Sequence, residues 1–137
     1  MFLFSLGLLL TSCTPTETQE VRSTFDNGQP DEVHIYLGKD SLNRKEIKYY
    51  ANGSVLSEGS FAEGKKEGLW QSFHLDGSAW STHTYKNGLQ IGDYNVWHRN
   101  GNLRISGTYA EGNEVGKWFF ITEEGDTARV INYDDVH

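Results

Sequence analysis

Gly53, Gly77, Gly101 and Gly125 stand 24 residues apart, and the same step links Phe61, Tyr85, Tyr109 and Tyr133. It also links Gly64, Gly88 and Gly112, then Gly68, Gly92 and Gly116, then Trp70, Tyr94 and Trp118. A unit this short cannot bury its own apolar face, so each copy must be stabilised by stacking on its neighbours. Function in such a chain is expected on a surface and not in an enclosed pocket.

Within each copy, Asn52-Gly53, Asp76-Gly77 and Asn100-Gly101 lie between strand-like runs, the strongest short hairpin signal. A type I′ turn at each would set Phe73 opposite Trp80 and Trp97 opposite Arg104. A second turn falls at Gly64-Lys65, Gly88-Leu89 and Gly112-Asn113, where glycine in the first loop position is the type II′ pattern. That register carries Trp70 across from Gly59 and Trp118 across from Gly107, so that a large ring shields bare strand backbone. The expected fold is all-β: an extended single-layer antiparallel meander of stacked hairpins with a 24-residue period. Side-chain alternation places Phe61, Tyr85, Tyr109 and Tyr133 on one face with Trp70, Tyr94 and Trp118. Tyr49, Leu56, Phe73, Trp80, Trp97 and Ile121 fall on the other. An earlier, degenerate copy begins at Asn27-Gly28, with one additional residue between Tyr36 and Gly53.

The first ten residues, MFLFSLGLLL, would span only about half a bilayer as a helix. They fit the apolar region of a secretory signal peptide. Leu10-Thr11-Ser12-Cys13 resembles a bacterial lipobox, although no Lys or Arg stands near Met1. The expected organisation is a lipoprotein signal peptide at 1–12, lipidated Cys13 with a flexible polar tether through 24, and the repeat domain at 25–137. Cys13 is the only cysteine, so no disulfide forms within the chain. A net charge of −7 opposes a nucleic-acid surface, which needs clustered Lys and Arg.

The strings YYANGSVLSEGSFAEGKKEGLWQSF and WHRNGNLRISGTYAEGNEVGKWFFI share Asn-Gly, Glu-Gly, an aromatic and Gly-Lys-x-x-Gly-x-Trp or its near equivalent. This pattern resembles the MORN-repeat variant, in particular the bacterial YwqK-like antitoxin repeat family. It covers 49–133 well and 25–48 poorly. The middle copy departs from it, with His83 for the strand glycine, Leu89 for the lysine after Gly88, and Tyr94 for the tryptophan. The resemblance implies a twisted sheet of stacked hairpins without enzymatic activity, and its antitoxin label implies binding to a partner.

Five histidines raise a metal reading. His74 and His98 are repeat equivalents, as are His34 and His83, and strands two apart in a sheet are separated by roughly 10 Å. That is too far for one zinc with bonds of about 2 Å, so neither a metal nor another cofactor is expected. Glu63, Glu67, Glu111, Glu114, Glu123 and Glu124 fall at turns, where charge maintains solubility. There is no G-x-S-x-G elbow or phosphate-cradling glycine loop. The aromatic ladders remain as the candidate binding surface: Trp80, Trp97, Phe73, Trp70, Tyr94 and Trp118. Trp80 stands out because Leu56 and Arg104 occupy its place in the neighbouring copies. The expected function is a non-enzymatic module, lipid-anchored in the cell envelope, that binds a protein. The alternative is an envelope-glycan module using the exposed aromatic ladder.

Overall fold

Aromatic and β-branched runs punctuated by glycine turns fold here into ten strands, as a computed structural model describing residues 16–39 and 41–135 shows. They are β1 (Glu17–Thr24), β2 (Pro30–Leu37), β3 (Arg44–Tyr49), β4 (Val55–Ala62) and β5 (Lys65–Phe73). There follow β6 (Ala79–Lys86), β7 (Leu89–Trp97), β8 (Leu103–Ala110), β9 (Asn113–Ile121) and β10 (Thr127–Asn132), then a 3₁₀ turn at Tyr133–Asp135. Each strand pairs antiparallel with the next, giving one open sheet in sequential order. The meander expected from the repeat is therefore the observed architecture.

Both turn types differ from expectation. At the Asn-Gly sites only the glycine is left-handed, with φ of 86° at Gly53, 84° at Gly77 and 86° at Gly101. Gly53 N donates to Tyr50 O, and Tyr50 N to Ser54 O, both at 2.8 Å. This is a type I turn closed by a glycine bulge, not type I′. The cause is a local hydrogen bond: Asn52 Oδ1 accepts from Ser54 N at 3.0 Å, and Asp76 Oδ1 from Ser78 N at 2.9 Å. The expected register holds through the strand body, where Ser72 faces Ser81, and then slips. Phe73 consequently faces Ala79 instead of Trp80, and Trp97 faces Leu103 instead of Arg104.

At the other end of each hairpin, Glu63 and Gly64 are both left-handed at φ 51° and 76°, as are Asn87 with Gly88 and Glu111 with Gly112. Ala62 faces Lys65, so the loop is Glu63-Gly64 and the turn is type I′, not type II′. Hydrogen bonds support the strained first position: Asn43 Oδ1 accepts from Glu63 N at 3.1 Å and Glu67 Oε2 from Asn87 N at 2.8 Å. A register slip between Glu58 and Ser60, beside left-handed Gly68 at φ 73°, then restores the predicted pairing. Trp70 does lie over Gly59.

Successive hairpins are tied at both ends. Gly64 N donates to Leu42 O at 3.0 Å, Gly88 N to Lys66 O at 2.9 Å and Gly112 N to Gln90 O at 2.9 Å. At the opposite ends Tyr50 Oη donates to Phe73 O at 3.0 Å, and His98 Nε2 to Ile121 O at 2.8 Å. These ties do the work of a central core, since few side chains are fully enclosed.

One boundary differs from expectation. The stretch read as tether contains β1, whose residues 17–24 pair with β2, so the sheet starts before residue 25. Its side chains are exposed throughout; unpaired backbone groups on β2 recruit it, and an edge strand tolerates such a polar sequence. The segment read as a signal peptide and Cys13 lie outside the described residues. At the far end Asp134 ties the last turn to β9, where its Oδ1 accepts from Gly116 N at 2.9 Å.

Candidate functional site

A continuous aromatic ladder occupies one face. Phe61 meets Trp70 edge-on at 5.2 Å between ring centroids, and Trp70 meets Tyr85 at 6.1 Å. Further along, Trp118 contacts Tyr94 at 5.3 Å, Tyr109 at 5.0 Å and Tyr133 at 5.9 Å. Lys66 lies over the Trp70 ring at 4.0 Å and Arg44 over Phe61 at 3.8 Å. Burial has an electrostatic consequence, because it holds the hydroxyls of Tyr85 and Tyr94 above their ordinary range. Burial, aided by Glu114, pushes Tyr109 up to about 12.

The two indoles are consumed by the sheet. Trp70 is 8% exposed and Trp118 4%, and a Cβ added at Gly59 or Gly107 would fall within the respective ring. Neither ring offers a flat stacking platform, so the expectation that both belong to a binding surface is corrected. Their task is to cover glycine backbone. In the middle copy His83 and Tyr94 fill the same space, meeting edge-on at 4.8 Å.

The exchange makes His83 pH-sensitive. Burial, with Lys66 nearby, holds its pKa below the ordinary value of 6.5, and Gln90 Nε2 donates to its Nδ1 at 2.8 Å. Because the folded value is depressed, the unfolded chain binds the additional proton first. His83 thus contributes full stability above about pH 6.5, and that contribution is lost as pH falls toward the folded value. Urea midpoints measured between pH 7.5 and 5 should fall modestly in the natural chain and less in His83→Asn.

Trp80 is the extra residue at its register slip and is 41% exposed, stacked at 5.7 Å and 23° on His74, which shares a face with Trp70 and Ser72 by alternation along β5. Alternation with the buried indoles places Leu69 and Phe119 on the opposite face, and they are 53% and 38% exposed. A shallow cavity of about 320 Å³ lies beside Phe73, lined also by Val55, Glu58 and Gly77. Phe73 and Trp97 are half-buried, so they support the patch more than they present it.

Alongside the aromatic ladder runs a second shallow groove of about 310 Å³, whose lining includes Lys48, Ser57, Lys66, Ser72, His83 and Tyr85. Sequence reasoning missed one cluster bordering it, formed by Glu32, His34 and Glu46. Glu-x-His within a strand does put both side chains on one face. Glu46 joins them across the pairing of β2 with β3, between which the repeat period is broken.

Ten hairpin-linked strands with chemistry on two open faces and tied turns define a β-hairpin repeat module. Residues 45–63 and 66–87, less than half of the chain, match the family described as MORN repeat variant. No curated protein matches the chain. A solved structure described as the crystal structure of TarM is similar to 76% of this chain at 12% identity, with a TM-score of 0.30. The present chain covers 19% of that one. Among the described residues no helix is long and apolar enough to cross a membrane.

Proposed function

We propose that this chain is a non-enzymatic protein-interaction module, held at a bacterial cell envelope by lipid on Cys13, with its partner surface centred on Trp80. The observation that carries this reading is the exposure of the Trp80 indole, at 41%, while Trp70 and Trp118 are buried at 8% and 4%. Indoles presented on a flat sheet are the residue type that most often anchors protein interfaces. The antitoxin-like role implied by the repeat family is a narrower form of the same reading, in which the partner is a toxin and binding neutralises it.

Mild cross-linking in the native cells, capture and mass spectrometry test it. One dominant protein should be recovered with the natural chain and reduced at least tenfold with Trp80→Ala, whose exposed ring makes the change cheap in stability. Cys13→Ser should move the chain out of the membrane fraction. Recovery of the same partner with Trp80→Ala would remove the patch from the interface, and recovery of envelope polysaccharide alone would favour glycan binding. The second reading has its own observation, the groove lined by hydroxyls, lysines and Tyr85, which suits a sugar better than the apolar patch does.

A further inference from the structure

The residues Glu32, His34 and Glu46 bring three ligand atoms within 4.8 Å of one another. Glu32 and His34 alternate along β2, and Glu46 lies opposite His34 on β3. His34 Nε2 is 2.7 Å from Glu32 Oε1 and 3.4 Å from Glu46 Oε2, and the residue is 8% exposed. The expectation of no metal compared only histidine pairs, and here one histidine is combined with two carboxylates.

The other side of the imidazole fixes its orientation. Tyr36 donates its hydroxyl hydrogen to Glu20 Oε2 at 2.9 Å, so its oxygen has only lone pairs for His34 Nδ1, 3.3 Å away. Nδ1 therefore carries a hydrogen. Nε2 then faces both carboxylates, at hydrogen-bond distance from Glu32 Oε1 and 3.4 Å from Glu46 Oε2, so a divalent ion can take the place of the hydrogen that joins Nε2 to Glu32. Such an arrangement is completed by a cation, and an imidazole held by an outer hydrogen-bonded partner is the usual support for a metal ligand.

We propose that Glu32, His34 and Glu46 bind a divalent transition-metal ion of the zinc type, with Tyr36 and Glu20 as the outer support. Bonds of about 2.1 Å to a tetrahedral ion separate ligand atoms by about 3.4 Å, the spacing already present between His34 and Glu46. Glu32 must retreat slightly. Lys48 Nζ, 3.3 Å from Glu32 and 4.0 Å from Glu46, supplies the positive charge at the cluster. Its side chain is 43% exposed, free to swing into solvent when the ion enters. The fourth coordination position faces the groove that Glu46 and Lys48 help to line.

Titration of the untagged full chain with Zn²⁺ by calorimetry, and with Co²⁺ by visible absorbance, tests the site. One ion should bind per chain, with the strong visible bands of tetrahedral Co²⁺. Tyr36→Phe, which keeps every ligand, should weaken binding about 10- to 100-fold, and Lys48→Met should tighten it. His34→Gln should abolish the Co²⁺ bands. Absence of binding at millimolar metal, or Zn²⁺ affinity unchanged in both His34→Gln and Tyr36→Phe, would overturn the proposal and leave the cluster as a salt-bridge network. Urea melts of each variant separate loss of the site from loss of the fold.

Discussion

Trp118→Ala should destabilise the sheet by about 3–5 kcal/mol, the range for removing a large buried aromatic. The indole is 4% exposed and touches Tyr94, Tyr109 and Tyr133. Its loss would also uncover Gly107, whose backbone has no side chain of its own to keep water from the strand hydrogen bonds. A repeat sheet has no second layer to collapse into the vacated space, so partial relaxation cannot recover much of the loss. Because copies contact mainly their neighbours, the damage should be local. Amide exchange in β8–β10 should accelerate first, while β3–β5 stay protected. Urea unfolding supplies the magnitude, and a cost under about 1.5 kcal/mol would show that the ring is not a structural support. Trp80→Ala is the internal control. The same residue type at 41% exposure should cost no more than about 1 kcal/mol.

The contrast between these two tryptophans shows what a one-dimensional reading reaches. The fixed step of 24 gave strand order, the sheet's single layer and the pairing of Trp70 with Gly59, because ring and glycine recur together. It did not give the turn types. Whether Asn52 or Glu63 supplies the left-handed residue depends on side-chain bonds to Ser54 and Asn43, and Asn43 comes from the previous hairpin. Exposure was equally hidden. Trp70 and Trp80 look alike in a pattern of aromatics, but only a neighbouring strand decides whether a ring is covered. The strand β1 was missed because polar residues 17–24 have no period of their own, and pairing with β2 creates their structure. The Glu32, His34 and Glu46 cluster was hidden for a related reason, since the sequence is out of phase with the repeat between β2 and β3 and only their pairing brings Glu46 to His34.

His83→Gly and Tyr94→Trp should each destabilise the chain alone and largely cancel together. In the outer copies a glycine faces an indole, and a Cβ at the glycine would overlap that ring. In the middle copy the histidine fills the glycine space and the smaller tyrosine leaves room for it, at 4.8 Å between centroids. Tyr94→Trp alone should overpack against His83 and cost about 1–3 kcal/mol. His83→Gly alone removes that ring contact and adds a flexible residue within a strand, a cost of about 1–2 kcal/mol. Combined, the pair rebuilds the Gly59 and Trp70 arrangement, so the coupling energy in a double-mutant cycle should be about 1–3 kcal/mol in the stabilising direction. The double variant should also lose the His83 contribution to pH dependence, because the proton-binding group is gone. Additive costs would mean that His83 and Tyr94 are independent substitutions, and the middle repeat would then be held by its turns instead of by this ring pair.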